Sequence, residues 1–461
     1  MPMPAFTRAW RPALTLLSAL LLAACAGTTP PASAPGTKPA ASAEAAPQPS
    51  PCPAELPTGS RCLAGRDSAG AHYLIALPPA WTGVLVLHAH GGPTLGPPRA
   101  ERTRQDLQRW AVMLRMGHAW AGSTYRDGGV QVHAAAEDTE RLRRIFLQHV
   151  AQPTVTVLHG QSWGASVAAV GAETYTARDA DGRRPYDAVL LTSGVLAGGS
   201  KAYDFRLDLR VVYQALCHNH PLPGEPDYPL WMGLPPGSAL TPAQLSQRAR
   251  ECLGLGLPVA QRSAEQQRRL KTIVDVIRIP ERSVQSHLNW ATWHFQDIVQ
   301  HRTGGRNPFG NIGVRYRGSA DDDALNAAVA RYAADPQAVQ QFAADTDPQG
   351  RIPVPVLTVH GIDDPTAFVE MDHSFRDTMV RAGTADHLVQ TFTSDHEHSF
   401  LTEPAYATLM ATLLEWTAGG PKPTPAQIAQ RCPAFESRFG AGCRFRPEYS
   451  PAPLATRVPP R

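Results

Sequence analysis

Short apolar runs alternate with longer amphipathic stretches from residue 72 onward. The runs read HYLIALP, VLVLHAH, GHAWAGS, TVTVLHG and YDAVLLTSG, and most of them are bounded by Gly or Pro. This pattern predicts strands buried on both faces, whereas residues 133–149 predict a helix with Leu142, Ile145 and Phe146 on one face. Such alternation is typical of a parallel sheet that is covered by helices on both sides.

The alternation stops between residues 195 and 350, where helical patterns occur without convincing strands. TPAQLSQRARECL begins with Thr241, a suitable N-cap, and has Pro242 at the first helical position. ERSVQSHLNWATWHFQDIVQ has apolar residues at steps of three and four, which predicts one buried helix face. Strands resume with VPVLTVHG and HLVQTFT. We therefore predict an α/β fold, a mostly parallel doubly wound sheet with a helical cap insertion.

Residues 1–24 have the composition of an export signal. Arg8 and Arg11 form a basic start, and PALTLLSALLLAAC is an apolar segment too short to span a bilayer. Leu22–Cys25 resembles the lipobox of a bacterial lipoprotein, which implies cleavage before Cys25 and attachment of lipid to its sulfur. The alternative is an ordinary secretory signal with an incidental cysteine.

Either signal predicts an exported protein. Ala26 follows the cysteine, where an aspartate would indicate retention in the inner membrane, so we expect anchoring in the outer membrane of the cell envelope. The next residues contain almost no bulky apolar side chains and predict a disordered tether. The expected divisions of the chain are a signal peptide (1–24), the tether (25–51), the first part of the core (52–194), the cap insertion (195–350), the second part of the core (351–420) and a Cys-containing C-terminal extension (421–461).

An even number of cysteines follows Cys25, and in an oxidising compartment this predicts disulfides. Fifteen connectivities are possible for six cysteines, and proximity along the chain favours pairing neighbours. None of the spacings is the CxxC spacing of a zinc site. The favoured pairs are Cys52 with Cys62, Cys217 with Cys252, and Cys432 with Cys443.

The chemistry of the chain centres on Gly160–Gly164, which reads G-Q-S-W-G. An apolar strand ends just before this motif, and a helix of small residues begins just after Ser162. A strand–turn–helix of this kind is the setting of a nucleophile elbow, in which a tight turn lifts the serine to the sheet edge. A serine nucleophile also needs a base, an orienting acid and donors for an oxyanion.

Candidate acids and bases follow in loops after the last two predicted strands. The loop after LTVHG contains Asp363 and Asp364, and the loop before the final helix contains His396 and His398. The order serine, acid, histidine is the one found with a nucleophile elbow.

With these motifs the chain resembles the α/β-hydrolase superfamily over roughly residues 70 to 418. The resemblance implies that Asp364, in an HGxxDP-like loop, is the acid and that His398, in an H-x-F sequence, is the base; Asp363 and His396 are the alternatives. It also implies an oxyanion hole made by the backbone N–H of Trp163 and a second donor from the HGGP loop. Gly92 is the better candidate for this donor, and Gly91 is the second.

Other clusters carry less functional weight. His88, His90 and His159 could suggest a metal site, but no acidic cluster joins them, so a metal site is not predicted. No cofactor is indicated. The near-neutral formal charge of +3 argues against nucleic acid as a partner, and the oligomeric state is not indicated. Aromatic residues at helical spacing are either packing or pocket residues. These aromatic residues are Trp290, Trp293, His294 and Phe295.

The combination of HGGP and G-x-S-W-G is similar to proline iminopeptidases, but those usually carry a motif close to DQRGxGxS where this chain reads GSTYRDGGVQVH. They also need cap acids to bind the substrate amine, and none is identified here. Hydrolysis of a small carboxylic ester is therefore the favoured function, because an alcohol leaves more readily than an amine. The alternatives are an aminopeptidase or amidase, and a lipoprotein with a hydrolase fold that binds without catalysis.

Overall fold

The apolar runs of the sequence form the centre of one nine-stranded sheet. The computed structural model describes residues 44–399 and 401–461, so the signal peptide, the lipidation site Cys25 and most of the expected tether lie outside the described residues. Residues 44–461 belong to one compact unit. The strands are β1 (Gln48–Ser50), β2 (Arg61–Arg66), β3 (His72–Leu77), β4 (Val84–Ala89), β5 (Ala119–Ser123), β6 (Val155–Gln161), β7 (Ala188–Thr192), β8 (Val356–Gly361) and β9 (Leu388–Thr393).

The strand order is β1-β2-β3-β5-β4-β6-β7-β8-β9. The three pairs at one edge, β1–β2, β2–β3 and β3–β5, are antiparallel. The other five pairs, from β5–β4 to β8–β9, are parallel. Every residue of β4, β5, β7 and β8 is buried, as expected for strands covered on both faces. The predicted α/β class and the mostly parallel sheet are confirmed.

Helices cover both faces of the sheet and fill the chain between β7 and β8. Within residues 193–355, all of which are described, the structure contains helices but no strand. The helices are α1 (Glu101–Arg109), α2 (Ala111–Arg115), α3 (Val132–His149), α4 (Trp163–Thr174), α5 (Gly199–Ala202), α6 (Asp204–Cys217), α7 (Pro242–Leu253), α8 (Ala264–Ile277), α9 (Glu281–Asn289), α10 (Phe295–Asp297), α11 (Asp322–Ala328), α12 (Pro336–Thr346), α13 (Glu370–Ala382), α14 (Glu403–Thr417), α15 (Pro425–Arg431) and α16 (Pro433–Phe439).

A local sequence signal explains where helix α7 of the insertion begins. Thr241 caps α7 through a capping box with Gln244, and Pro242 is the first helical residue, as predicted. The chain from α9 onward stays helical but includes two π-helical turns, Trp290–His294 and Ile298–Arg302, on either side of α10. π-helical turns of this kind occur frequently at functional sites.

The expected tether is shorter at its C-terminal end than the composition indicated. Gln48–Ser50 form β1, which pairs antiparallel with residues 62–64 of β2. A three-residue edge strand needs only backbone hydrogen bonds, so the low apolar content of this segment did not reveal it. A disulfide between Cys52 and Cys62 links the chain just after β1 to β2.

The three cysteine pairs favoured by proximity are all present. Cys217, at the end of α6, pairs with Cys252, near the end of α7. Cys432 pairs with Cys443 in the C-terminal extension, which packs against the last strand because Phe445 forms a β-bridge with Thr393.

The Cys217–Cys252 bond restricts the unfolded chain, so we expect the protein to be less stable without it. The bond closes a loop over a sequence separation of 35 residues. Replacing both cysteines by alanine should therefore lower the free energy of unfolding by about 4 kcal/mol, mainly through the greater entropy of the unfolded chain. Urea unfolding followed by circular dichroism measures this difference. A loss below about 1 kcal/mol would show that the bond contributes little to the insertion.

Candidate active site

Ser162 occupies a strained turn between β6 and α4. Its φ of 58° and ψ of −122° are unusual for a residue with a side chain. The turn is held by backbone hydrogen bonds, because the Ser162 N–H donates to the Thr192 carbonyl oxygen over 2.9 Å and the Ser162 carbonyl oxygen accepts from Val195 N–H over 3.0 Å. The end of β7 and the loop after it thus fix the serine in the conformation expected of a nucleophile elbow.

The glycines that flank the serine are required by close backbone approach. A Cβ atom on Gly160 would lie 2.3 Å from the carbonyl oxygen of Gly164. A Cβ atom on Gly164 would lie 2.1 Å from the carbonyl oxygen of Ala89 at the end of β4. Both distances are too short for any side chain, so the spacing of the motif reflects the tightness of the turn.

The side chains of Ser162, His398 and Asp364 form one hydrogen-bonded chain. The Oγ atom of Ser162 lies 2.7 Å from Nε2 of His398, and Nδ1 of His398 lies 2.7 Å from Oδ2 of Asp364. The carboxylate is buried, and it accepts a hydrogen bond from Nδ1–H, so Nε2 is left to accept the serine proton. This is the arrangement in which a histidine acts as a general base toward a hydroxyl group.

The alternative acid and base lie apart from Ser162 and contact each other. Oδ2 of Asp363 lies 3.0 Å from Nδ1 of His396, and both side chains are exposed. Neighbouring residues of these loops therefore point in opposite directions, one pair toward the serine and the other toward solvent.

Sequence reasoning missed a second histidine behind the acid. Nδ1 of His360, the next-to-last residue of β8, lies 2.6 Å from Oδ2 of Asp372, and its Nε2 lies 3.3 Å from Oδ2 of Asp364. Burial alone would lower the pKa of His360, but the carboxylates of Asp372 and Asp364 outweigh it and raise the pKa to about 10. The sequence signal that could have indicated this contact is a histidine in a buried strand, four residues before the acid.

The environment of Asp364 keeps its carboxyl group ionised. Burial alone would raise its pKa, but the imidazoles of His398 and His360 outweigh burial and hold the pKa well below its usual value. The Oδ1 atom accepts hydrogen bonds from the backbone N–H groups of Thr366 and Ala367 over 2.8 and 3.0 Å. Asp364 is therefore an anion at neutral pH, able to orient the His398 ring and stabilise an imidazolium there.

The two glycines of the HGGP loop differ in their surroundings. A Cβ atom on Gly91 would lie 2.3 Å from the side chain of Gln161, whereas one on Gly92 would meet no atom within 4 Å. Gly92 has a φ of 67°, and Trp163 is the first residue of α4. A cavity of about 260 Å³ lies beside this loop, with Trp163 in its wall. The oxyanion roles of the Gly92 and Trp163 N–H groups stay predictions.

The insertion contacts the loops that carry these groups. Nε2 of His287, in α9, lies 2.9 Å from the carbonyl oxygen of Pro365, next to the acid. Nε2 of His294 lies 2.9 Å from the carbonyl oxygen of Pro93, next to Gly92. The helical segment from α9 to the first π-helical turn therefore spans the acid loop and the HGGP loop.

The aromatic residues of this segment differ in how deeply they are buried. Phe295 is fully buried and stacks on Phe309 with ring centroids 4.0 Å apart, so it is a packing residue. Trp290 and His294 are half-buried and stack on each other with centroids 4.7 Å apart.

The histidines of the central strands form a pair within the core. His88 and His159 face each other across β4 and β6, with their Nδ1 atoms 2.9 Å apart. Burial, with a smaller effect of Arg109, lowers the pKa of His159 to about 3, so it is neutral at pH 7. Among residues 44–399 and 401–461, no group of three or more His, Cys, Asp or Glu side chains is placed to hold a metal ion.

No protein-family model and no curated protein sequence matches the chain. Solved structures that resemble it include puromycin hydrolase (13% identity, 81% of this chain and 40% of that chain, TM-score 0.37) and a thermostable carboxyl esterase from Bacillus coagulans (13%, 73% and 90%, 0.34). A third is the cell wall degrading esterase LipA from Xanthomonas oryzae (14%, 78% and 90%, 0.38). The chain thus spans less than half of puromycin hydrolase. All three are hydrolases by description.

The elevated pKa of His360 predicts how stability varies with pH. A group whose pKa is about 10 in the folded protein and 6.5 when unfolded stabilises the fold fully below pH 6.5 and loses that contribution as the pH rises toward 10. The stability advantage of the wild type over His360→Gln should therefore fall between pH 7 and pH 10, by up to about 1.4 kcal/mol per pH unit. Urea unfolding at several pH values measures this difference.

A matched control is His133→Gln, which changes an exposed histidine on α3. Its unfolding curves should run parallel to those of the wild type across the same pH range. A constant difference between His360→Gln and the wild type would contradict a protonated His360.

Proposed function

We propose that this protein is a serine hydrolase of the α/β-hydrolase type that cleaves a carboxylic ester. The observation that supports this proposal most directly is the continuous hydrogen-bonded chain from Ser162 through His398 to Asp364, with both contacts at 2.7 Å. Its three members come from loops after three different parallel strands, at the edge of the sheet where sites of α/β proteins lie. Such convergence is not needed for folding.

The proposed reaction begins when the Ser162 hydroxyl attacks the ester carbonyl. The Oγ proton passes to Nε2 of His398 as the C–O bond forms, and the N–H groups of Trp163 and Gly92 stabilise the oxyanion. The ester C–O bond then breaks, the alcohol takes the proton from His398, and an acyl-enzyme remains. Water then attacks the acyl carbonyl as its proton passes to Nε2 of His398. The bond between the acyl carbon and Oγ breaks, Ser162 takes that proton back from His398, and the carboxylic acid leaves.

An ester is favoured over an amide because of the leaving group. The alcohol oxygen of an ester leaves with less help from a proton donor than the amine nitrogen of an amide does. A serine, a base and an acid are therefore sufficient for ester cleavage. Peptide hydrolysis of the iminopeptidase type would additionally require acidic groups for the substrate amine. A panel of ester and peptide substrates separates the two reactions.

Substitution of the three residues tests the mechanism. Ser162→Ala should lower kcat by about 10⁶-fold and abolish labelling by a fluorophosphonate probe, because the nucleophile is lost. Asp364→Asn should lower kcat by about 10⁴-fold, because the imidazole is then held in the wrong tautomer. His398→Ala should slow labelling strongly, because no base is left to take the serine proton.

The adjacent acid and histidine provide matched controls. Asp363→Asn and His396→Ala change exposed residues of the same loops and should label at the wild-type rate. A loss of only a few-fold in Ser162→Ala would reject the assignment. If the folded wild type showed no labelling, a binding function without catalysis would be favoured.

We further propose that the protein is exported and anchored in the cell envelope through lipid on Cys25. The lipobox-like sequence and the three disulfides of the described residues support this proposal. Among the described residues, no helix has the length and apolar character needed to cross a membrane.

Metabolic labelling tests the anchor. Radiolabelled palmitate fed to a bacterial host should be incorporated into the wild type and absent from Cys25→Ser. Fluorophosphonate labelling of Cys25→Ser should persist, because Ser162, Asp364 and His398 all belong to residues 44–461. Incorporation of palmitate into Cys25→Ser would place the lipid on another residue.

A further inference from the structure

Arg206 is a buried arginine in α6 of the insertion without an acidic partner. Its residue surface is 4% exposed, and no carboxylate of the described chain lies within 4 Å of its guanidinium nitrogens. Nη1 donates to the Ala202 carbonyl oxygen over 3.2 Å, and Nε has no hydrogen-bond partner among the described residues. Arginine is rarely buried unless it is paired, because an uncompensated charge in the interior is costly.

Three aromatic rings pack around the Arg206 guanidinium but provide no acceptor for its N–H donors. The carbon Cζ of Arg206 lies 4.4 Å from the ring centre of Trp290, 4.6 Å from that of Phe205 and 5.1 Å from that of Tyr203. Cation–π contacts of this kind compensate part of the cost of burial through the faces of the group. They do not use the N–H donors, which point outward in the guanidinium plane and fit a carboxylate.

The next arginine of the same helix face shows the difference. Arg210, one turn further along α6, is also buried, but its Nη1 donates to the His220 carbonyl oxygen over 2.5 Å and its Nη2 donates to the Tyr228 hydroxyl over 3.0 Å. The Nε atom of Arg210 also has no partner among the described residues, but both terminal nitrogens of Arg210 bind the segment that follows α6, whereas the hydrogen bond of Arg206 is to Ala202 alone.

Arg206 lies among the side chains that join the insertion to the candidate active site. Its charge acts on His287 and His294, and it lowers the pKa of both rings after the larger effect of burial. His287 also responds to the charges of Asp364 and His398, and it contacts the acid loop at Pro365. Ring contacts connect the guanidinium to both loops. Trp290, which it faces, stacks on His294 beside the HGGP loop with ring centroids 4.7 Å apart. Phe205, which it also faces, packs on His287 beside the acid loop with ring centroids 4.9 Å apart.

We infer that Arg206 binds a carboxylate group of the substrate, so that the preferred ester carries a second, free carboxylate beside the ester bond. The inference rests on the serine hydrolase function proposed above and narrows its substrate class to half-esters of dicarboxylic acids and related anionic esters. Burial lowers the pKa of Arg206 to about 9, which leaves the group charged at pH 7. A cationic substrate amine would be repelled there, so the same residue disfavours an aminopeptidase reaction.

A pair of esters of equal length tests the inference in the wild-type protein. Mono-4-nitrophenyl glutarate ends in a carboxylate, and 4-nitrophenyl pentanoate ends in a methyl group. The value of kcat/KM for the glutarate ester should exceed that for the pentanoate ester by about 10- to 100-fold, as expected for a hydrogen bond between charged groups, and the difference should lie in KM. Equal values, or a preference for the neutral ester, with Ser162-dependent hydrolysis would overturn the inference and leave the hydrolase function standing.

Variants of Arg206 and Arg210 test which arginine causes the preference for the ester that carries a carboxylate. Arg206→Met should reduce the ratio of the two kcat/KM values to near one, and Arg206→Lys should restore part of it, because the charge is kept and the two-pronged geometry is lost. Arg210→Lys should keep the wild-type ratio. A ratio that persists in folded Arg206→Met would overturn the role of this residue.

Binding without catalysis separates this inference from the proposed function. Glutarate should bind Ser162→Ala in calorimetric titration, and its affinity should fall at least tenfold when Arg206→Met is added. If neither ester were hydrolysed and no probe labelled Ser162, the hydrolase function would fail, but this titration would still decide the carboxylate site. No binding of glutarate to folded Ser162→Ala would overturn it.

Discussion

The buried carboxylate of Asp364 is the group around which the candidate site is arranged. An ionised carboxylate inside a protein is stable only when donors surround it. Here two backbone amides of its own loop, His398 of the next loop and His360 of β8 fill that requirement. The position of His398, and through it the distance to Ser162, is therefore coupled to the charge of one buried side chain.

The insertion is attached to this arrangement by histidines that do not carry charge. Burial, followed by the charge of Arg206, lowers the pKa of His287 to about 3, and burial lowers that of His294 to about 4. Each neutral ring donates one hydrogen bond to a loop carbonyl oxygen. The contacts between insertion and core therefore do not change with protonation near neutral pH, and the charge that acts on both rings from within the insertion is that of Arg206.

Much of the fold could be predicted from the sequence because its central strands are apolar at nearly every position and its turns contain glycine. The elbow at Ser162 was recognisable because the spacing of Gly160 and Gly164 is a direct consequence of backbone contact. Loop position alone did not separate Asp363 from Asp364, because only the direction of each side chain distinguishes them. The resemblance of the loop to HGxxDP favoured Asp364. Contacts across elements, such as those of Arg206, depend on packing of the insertion and have no local sequence signal.

The C-terminal extension holds the loop that carries His398. The Ser394 N–H donates to the carbonyl oxygen of Arg444 over 3.0 Å, and the Thr402 hydroxyl donates to that of Gly442 over 2.7 Å. The bond between Cys432 and Cys443 lies directly beside these contacts. These contacts come from residues that follow the last strand and helix of the core in sequence. A chain that ended before Cys432 would thus contain all three side chains of the triad but lack contacts that hold the loop of its base.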